Sequence, residues 1–118
     1  TYRGCAIAIA DIESEDLRII ASQAADEMLN ISGIQSSYVL YRTEDIVNIS
    51  ARSMGAMNVQ LIMEMLGGGG HQTMAAAQLS NISVSDAKVR LLQVIDQFYA
   101  QINAQEEAPQ DRPEETQN

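Results

Sequence analysis

The sequence predicts a small α/β domain. It reads as one mixed β-sheet with packed helices, in the order β-α-β-β-α-β-α, and an acidic disordered C-terminal tail. Three observations predict this. Apolar runs of strand length alternate with longer stretches in which apolar residues recur at helical spacing. The helical stretches open on residues that cap helices. Hydrophobic residues make up 46% of the 118 positions, which suits one small domain with a real core.

Cys5-Ala6-Ile7-Ala8-Ile9-Ala10 is a continuous apolar run, consistent with a buried strand. Ser14 is expected to cap the first helix, with Glu15 and Asp16 in its first turn, where acids favour the helix dipole. Leu17, Ile20, Ala21, Ala24 and Met28 follow at helical spacing. Arg18, Ser22 and Asp26 are expected on the opposite side. Residues 38–41 and 46–50 read as strands, joined at Thr43-Glu44-Asp45 by a hairpin-like connection. Asn58 can cap a second helix over residues 59–66, apolar on nearly every side and ended by Gly67. Residues 75–79 read as a further strand. Ser83-Val84-Ser85-Asp86 has the form of a capping box, and Val84, Ala87, Leu91, Ile95, Phe98 and Ile102 continue at helical spacing. The domain is expected to span residues 1–102. Residues 103–118 carry five acids, one arginine and both prolines, with nothing bulky to bury, and are expected to be a disordered tail.

The net charge is −9. A general grip on duplex nucleic acid is therefore not expected, since that needs a basic surface to displace counterions. A local positive pocket for a small phosphorylated ligand is compatible with it. Cys5 is the only cysteine, which excludes an intramolecular disulfide and a cysteine-cluster metal site. No metal site is expected in this chain: His71 is the only histidine, and no carboxylates cluster near it at ligand spacing. The six methionines read as core filling. No stretch is long enough to span a membrane. The chain begins at Thr1 and soon enters a strand, so it reads as a piece of a longer protein.

The chemistry concentrates in two places. Four glycines and the single histidine, Gly67-Gly68-Gly69-Gly70-His71, follow directly on the second helix. Bare backbone lets N–H groups approach a ligand closely, and a phosphate suits them best. The run lacks the Gly-Lys-Ser/Thr ending of a Walker loop, and it follows a helix rather than a strand, unlike a dinucleotide fingerprint. Ser50-Ala51-Arg52-Ser53 closes a strand and offers an arginine fork for a phosphate or a base edge. Plainer alternatives stand beside these: a loop that only ends a helix, a structural histidine, an arginine paired with Glu44 or Asp45, and an Asn58 that only caps.

Taken together, Ser50-Ala51-Arg52-Ser53, Asn58, Gly67 to His71 and Ala75-Ala76 resemble the DHH-associated domain of the DHH phosphoesterase superfamily. The run from Asn58 to Leu66 into four glycines is most similar to the GdpP-type cyclic-di-AMP phosphodiesterases of bacteria. The resemblance covers residues 3–102. It implies a substrate-recognition half-site. Arg52 and His71 would contact phosphate or base, Gly68, Gly69 and Gly70 would cradle a phosphate, and Ser53 and Asn58 would assist. It implies a partner DHH domain in the same parent chain that binds two manganese ions and activates water. This chain has no Asp-His-His triplet, so alone it is expected to be inactive. The resemblance also implies a membrane-anchored parent with this domain in the cytoplasm. The ligand would be a cyclic dinucleotide, or a short oligonucleotide if the parent is a nano-RNase or RecJ-like nuclease. A non-catalytic dimerisation or regulatory module is the third reading, and a homodimer is left open.

Overall fold

Side chains alternate along a strand, so residue type alone sorts the two faces of the sheet. The computed structural model describes residues 2–11 and 15–107, the side chains of the last two excepted. Ser14 and residues 108–118 of the expected tail lie outside the described residues. In order come β1 (Cys5–Ala10), α1 (Leu17–Met28), β2 (Ser36–Thr43), β3 (Ile46–Ser53), α2 (Val59–Glu64), β4 (Gly69–Gly70), β5 (Met74–Ser80) and α3 (Val84–Glu107). The strands form one sheet in the order β1-β2-β3-β5-β4. β1 runs parallel to β2, as its helical crossover requires, and every other pairing is antiparallel.

One face carries the main core. Tyr38 and Leu40 of β2, Val47, Ile49 and Ala51 of β3, and Ala75, Ala77 and Leu79 of β5 pack with Val59 and Ile62 of α2 and with Leu91 and Ile95 of α3. The other face carries a smaller cluster, in which Leu17, Ala21 and Ala25 of α1 sit on Val39 and Tyr41 of β2. With α1 on one side and α2 and α3 on the other, β2 is buried on both faces from Ser36 to Tyr41. Here the same-face residues of β3 are polar: Asn48, Ser50 and Arg52.

The lead into β1 is tied to α3. Arg3 pairs with Asp96 at 3.3 Å, the Tyr2 hydroxyl donates to the same carboxylate, and the Tyr99 hydroxyl donates to the Arg3 carbonyl at 2.8 Å.

Several boundaries differ from expectation, each for a local reason. Glu15 and Asp16 precede α1 rather than filling its first turn, which holds no acid. β2 begins at Ser36 and β3 runs on to Ser53, because the small Ser36, Ser37 and Ser53 are pair-forming residues in the ladder rather than loop. The second helix stops at Glu64. Gly67, at φ +85°, closes it with its N–H on the Glu64 carbonyl at 3.0 Å, and Gly68 N–H reaches the Met63 carbonyl at 2.8 Å. Inside the glycine run is a short extra strand, β4, which pairs Gly69 with Ala76 and Gly70 with Ala75. α3 continues past Ile102 to Glu107, through residues expected to belong to the tail.

Candidate functional site

The site is built where the polar row of β3 meets the glycine turn and the polar stripe of α1. Arg52 is only 9% exposed, unusual for a charge unless it is paired. Its Nε donates to Asp26 Oδ1 at 3.0 Å, and its Nη1 faces the Ala51 carbonyl at 2.9 Å and Ser50 Oγ at 3.4 Å. Ser50 Oγ in turn lies 3.4 Å from Ser22 Oγ. Glu44 and Asp45, the partners that the residue order offered Arg52, sit at the far end of the β2–β3 hairpin. That turn closes at the pair Thr43–Ile46, whereas Arg52 lies opposite Ser37.

Arg18, Ser22 and Asp26 were expected to point away from the body that α1 covers. Spaced four apart, they form a single stripe. The structure turns that stripe towards the polar row instead: Asp26 and Ser22 reach Arg52 and Ser50. Arg18 lines, with Tyr41, Asn48, Gln78 and Gly68, an open cavity of about 530 Å³ on the same sheet face. Burial pushes the Tyr41 phenol up from its ordinary range, and the Arg18 charge beside it pulls it partly back. Tyr41, Asn48 and Gln78 form one row across three strands. The Asn48 amide donates to Thr43 Oγ1 at 2.8 Å and accepts from Gln78 Nε2 at 3.2 Å, which orients the exposed Gln78.

The glycine turn reaches the site by close packing. A Cβ on Gly68 would run into the Ala76 carbonyl oxygen and Ala77 Cα. On Gly70, at φ +146°, it would meet Ala75 Cα and the Met74 carbonyl oxygen at 2.5 Å. Gly69 faces open space. Two of the three expected cradle glycines are thus demanded by β5. The Gly68 N–H is already committed to the Met63 carbonyl. His71 follows, exposed, with its N–H on the Met74 carbonyl at 2.7 Å. Met74 stands opposite Arg52 in the ladder, so His71 and Arg52 arrive at the same end of the sheet.

Ser53 and Asn58 have structural duties. Ser53 Oγ donates to the Gln72 carbonyl at 3.2 Å and accepts from the Gly55 N–H at 3.3 Å, pinning two loops together. Asn58 caps α2, accepting from the Leu61 N–H at 3.3 Å.

Reading the residues in order missed Arg18, Ser22, Asp26, Asn48 and Gln78. The period-four polar stripe and the period-two row Asn48, Ser50, Arg52 were both present in the sequence. What was missing was that the two face each other. Among the described residues no three His, Cys, Asp or Glu side chains come together as a metal site, and no helix is long and apolar enough to cross a membrane.

A family model for the DHHA1 domain matches residues 4–101. The chain is 45% identical over 99 residues to the cyclic-di-AMP phosphodiesterase PdeA of Listeria monocytogenes, covering 83% of this chain and 15% of that protein. It is 50% identical over 98 residues to the cyclic-di-AMP phosphodiesterase GdpP of Bacillus subtilis, covering 79% and 15%. The chain therefore spans only about 15% of the length of these curated relatives. An exopolyphosphatase-related protein from Bacteroides fragilis has the same fold at a TM-score of 0.69 and 16% identity, covering 86% of this chain and 31% of that one. Matched by the family model over most of its length, this chain belongs to the DHHA1 domain family.

Proposed function

We propose that this chain is the nucleotide-recognition domain of a DHH-family cyclic-di-AMP phosphodiesterase, whose parent hydrolyses cyclic-di-AMP to pApA. The observation that carries the reading is Arg52. A nearly buried guanidinium sits in a polar row beside the glycine–histidine turn of an otherwise acidic protein. Its Nε and Nη1 are engaged by Asp26, Ala51 and Ser50, which make the burial tolerable, and a phosphate oxygen is the acceptor that suits the remaining nitrogen of the fork. The similarity to the Listeria and Bacillus phosphodiesterases supports the choice of ligand.

In this reading Arg52 and His71 hold the phosphate or base, and Gly69, with open space beside it, leaves room for close approach. Among the described residues no three His, Cys, Asp or Glu side chains cluster. The metal chemistry is assigned to a DHH domain elsewhere in the parent, and the chain alone is inactive. In the same reading the parent is membrane-anchored, with this domain in the cytoplasm.

Calorimetric titration with cyclic-di-AMP and pApA tests the reading. Arg52→Ala and His71→Ala are each expected to lower the activity of the full parent enzyme. Unchanged activity in both would sink the site assignment. Processing of short RNA in preference to cyclic-di-AMP would move the assignment to the oligonucleotide-degrading relatives. No nucleotide-induced melting shift, together with a dimer by light scattering, would favour a dimerisation module.

A further inference from the structure

The geometry points to Asp26 of α1 as a positioning residue that aims Arg52, so that one nitrogen of its guanidinium, Nη2, is presented to the anionic ligand. This inference rests on the nucleotide-recognition reading of Arg52.

The argument begins with donor accounting. A guanidinium has five N–H donors and no acceptor. Nε is held by Asp26, and Nη1 faces the Ala51 carbonyl and Ser50 Oγ. Among the described residues only Nη2 faces no acceptor. A long side chain with many rotamers is thereby reduced to one orientation, and the ordering entropy that a ligand would otherwise have to supply is already lost.

The second step asks what the Asp26 contact is for. The Asp26 side chain is 61% exposed and that of Arg52 only 11%. A pair with one partner in water contributes little to stability. Its geometric effect is large by comparison, because it holds a buried group whose reach is the width of one hydrogen bond. Asp26 also does not act alone. Ser22, one turn earlier on α1, approaches Ser50, and Ser50 approaches Nη1. Two side chains of α1 therefore address two members of the β3 row, and the docking of α1 sets the aim of Arg52.

The third step separates hydrogen bonding from charge. A carboxylate beside a phosphate site repels the ligand, so Asp26 does not attract anything bound at Nη2. Its contribution is the acceptor oxygen on Nε–H. Asparagine keeps that oxygen and removes the charge, whereas alanine removes both.

The 118-residue chain is titrated with pApA as wild type, Asp26→Ala, Asp26→Asn and Arg52→Ala, and the Arg52 Nε–H signal is followed by ¹H–¹⁵N NMR without ligand. The expected result is a persistent Nε–H signal in wild type and Asp26→Asn, and an exchange-broadened one in Asp26→Ala. Affinity for pApA is expected to fall about tenfold in Asp26→Ala and to be retained or improved in Asp26→Asn. All variants should melt within a few degrees of wild type. The proposal is overturned if Asp26→Ala leaves the Nε–H signal or the affinity unchanged, or if Asp26→Asn is as impaired as Asp26→Ala. If Arg52→Ala binds pApA as well as wild type does, the nucleotide-recognition reading itself fails. The Nε–H comparison then still reports whether Asp26 orders Arg52.

Discussion

Cys5 and Tyr38 are neighbours in the main core, and both are held as neutral acids. Cys5 is fully buried and receives a hydrogen bond from Ser36 Oγ at 3.2 Å. Burial pushes its thiol up, and the Ser36 hydrogen bond opposes this only in part. Burial also pushes the Tyr38 phenol up, and among the described residues its hydroxyl finds no hydrogen-bond partner. The sign of the linkage follows. On unfolding, both groups regain lower pKa values, so at alkaline pH the unfolded chain loses protons before the folded one does. Their contribution is complete well below pH 9.0, the ordinary cysteine value, and is lost as pH rises through it. The melting temperature should fall between pH 8.5 and about 10.5, and Cys5→Ala should flatten part of that fall. A melting temperature that is level across this range would contradict the account. The glycines give a second prediction at this scale. Gly68→Ala should destabilise by about 2–3 kcal/mol, because backbone of β5 occupies the place of the new methyl group. Gly69→Ala, facing open space, should stay within about 0.5 kcal/mol. Urea unfolding of the two variants measures the difference.

At the scale of elements, capping separates structure from recognition. Asn58 satisfies the Leu61 N–H at the start of a helix of six residues. Asn58→Ala should cost about 1 kcal/mol of stability and leave pApA affinity unchanged where the protein is folded. A loss of affinity without a loss of stability would make Asn58 a ligand group instead. The same contrast explains what was legible in the sequence. The Ser83 cap holds, with its Oγ accepting from the Asp86 N–H at 3.0 Å, because a cap is a contact between residues three apart. The body of β3 was legible because apolar and polar residues alternate from Val47 to Arg52, but its run to Ser53 was not. β4 was not, since glycines carry no strand preference and its pairing depends on Ala75 and Ala76 of another strand. The end of α3 was misjudged because Ala104, Gln105, Glu106 and Glu107 are good helix formers that need no core to continue a helix. The hidden half of the site, Ser22 and Asp26, was illegible for another reason. Periodicity states that a helix has two faces, not what stands opposite the second one.

At the scale of the whole molecule, the electrostatics set a molecule of charge −9 against two arginines, Arg18 and Arg52, near one sheet face. The Debye length is about 8 Å at 0.15 M salt, so repulsion from the distant acidic residues is largely screened there. The contact with the nearly buried Arg52 is screened far less. Binding of pApA is therefore expected to depend weakly on salt. Each phosphate neutralised contributes a slope of about −0.7 in log K against log salt for single strands. One or two phosphates held at this face should give a slope between about −0.7 and −1.4, and relief of the general repulsion should make it shallower still. A ligand that runs as a polyanion across the face would engage more phosphates and give a slope steeper than about −2. Titrations of pApA and of a short oligoribonucleotide from 50 to 300 mM salt distinguish the two. A shallow slope with tighter binding of pApA fits a site built around one guanidinium. A steep slope with tighter binding of the oligonucleotide would make this face the track of a nuclease.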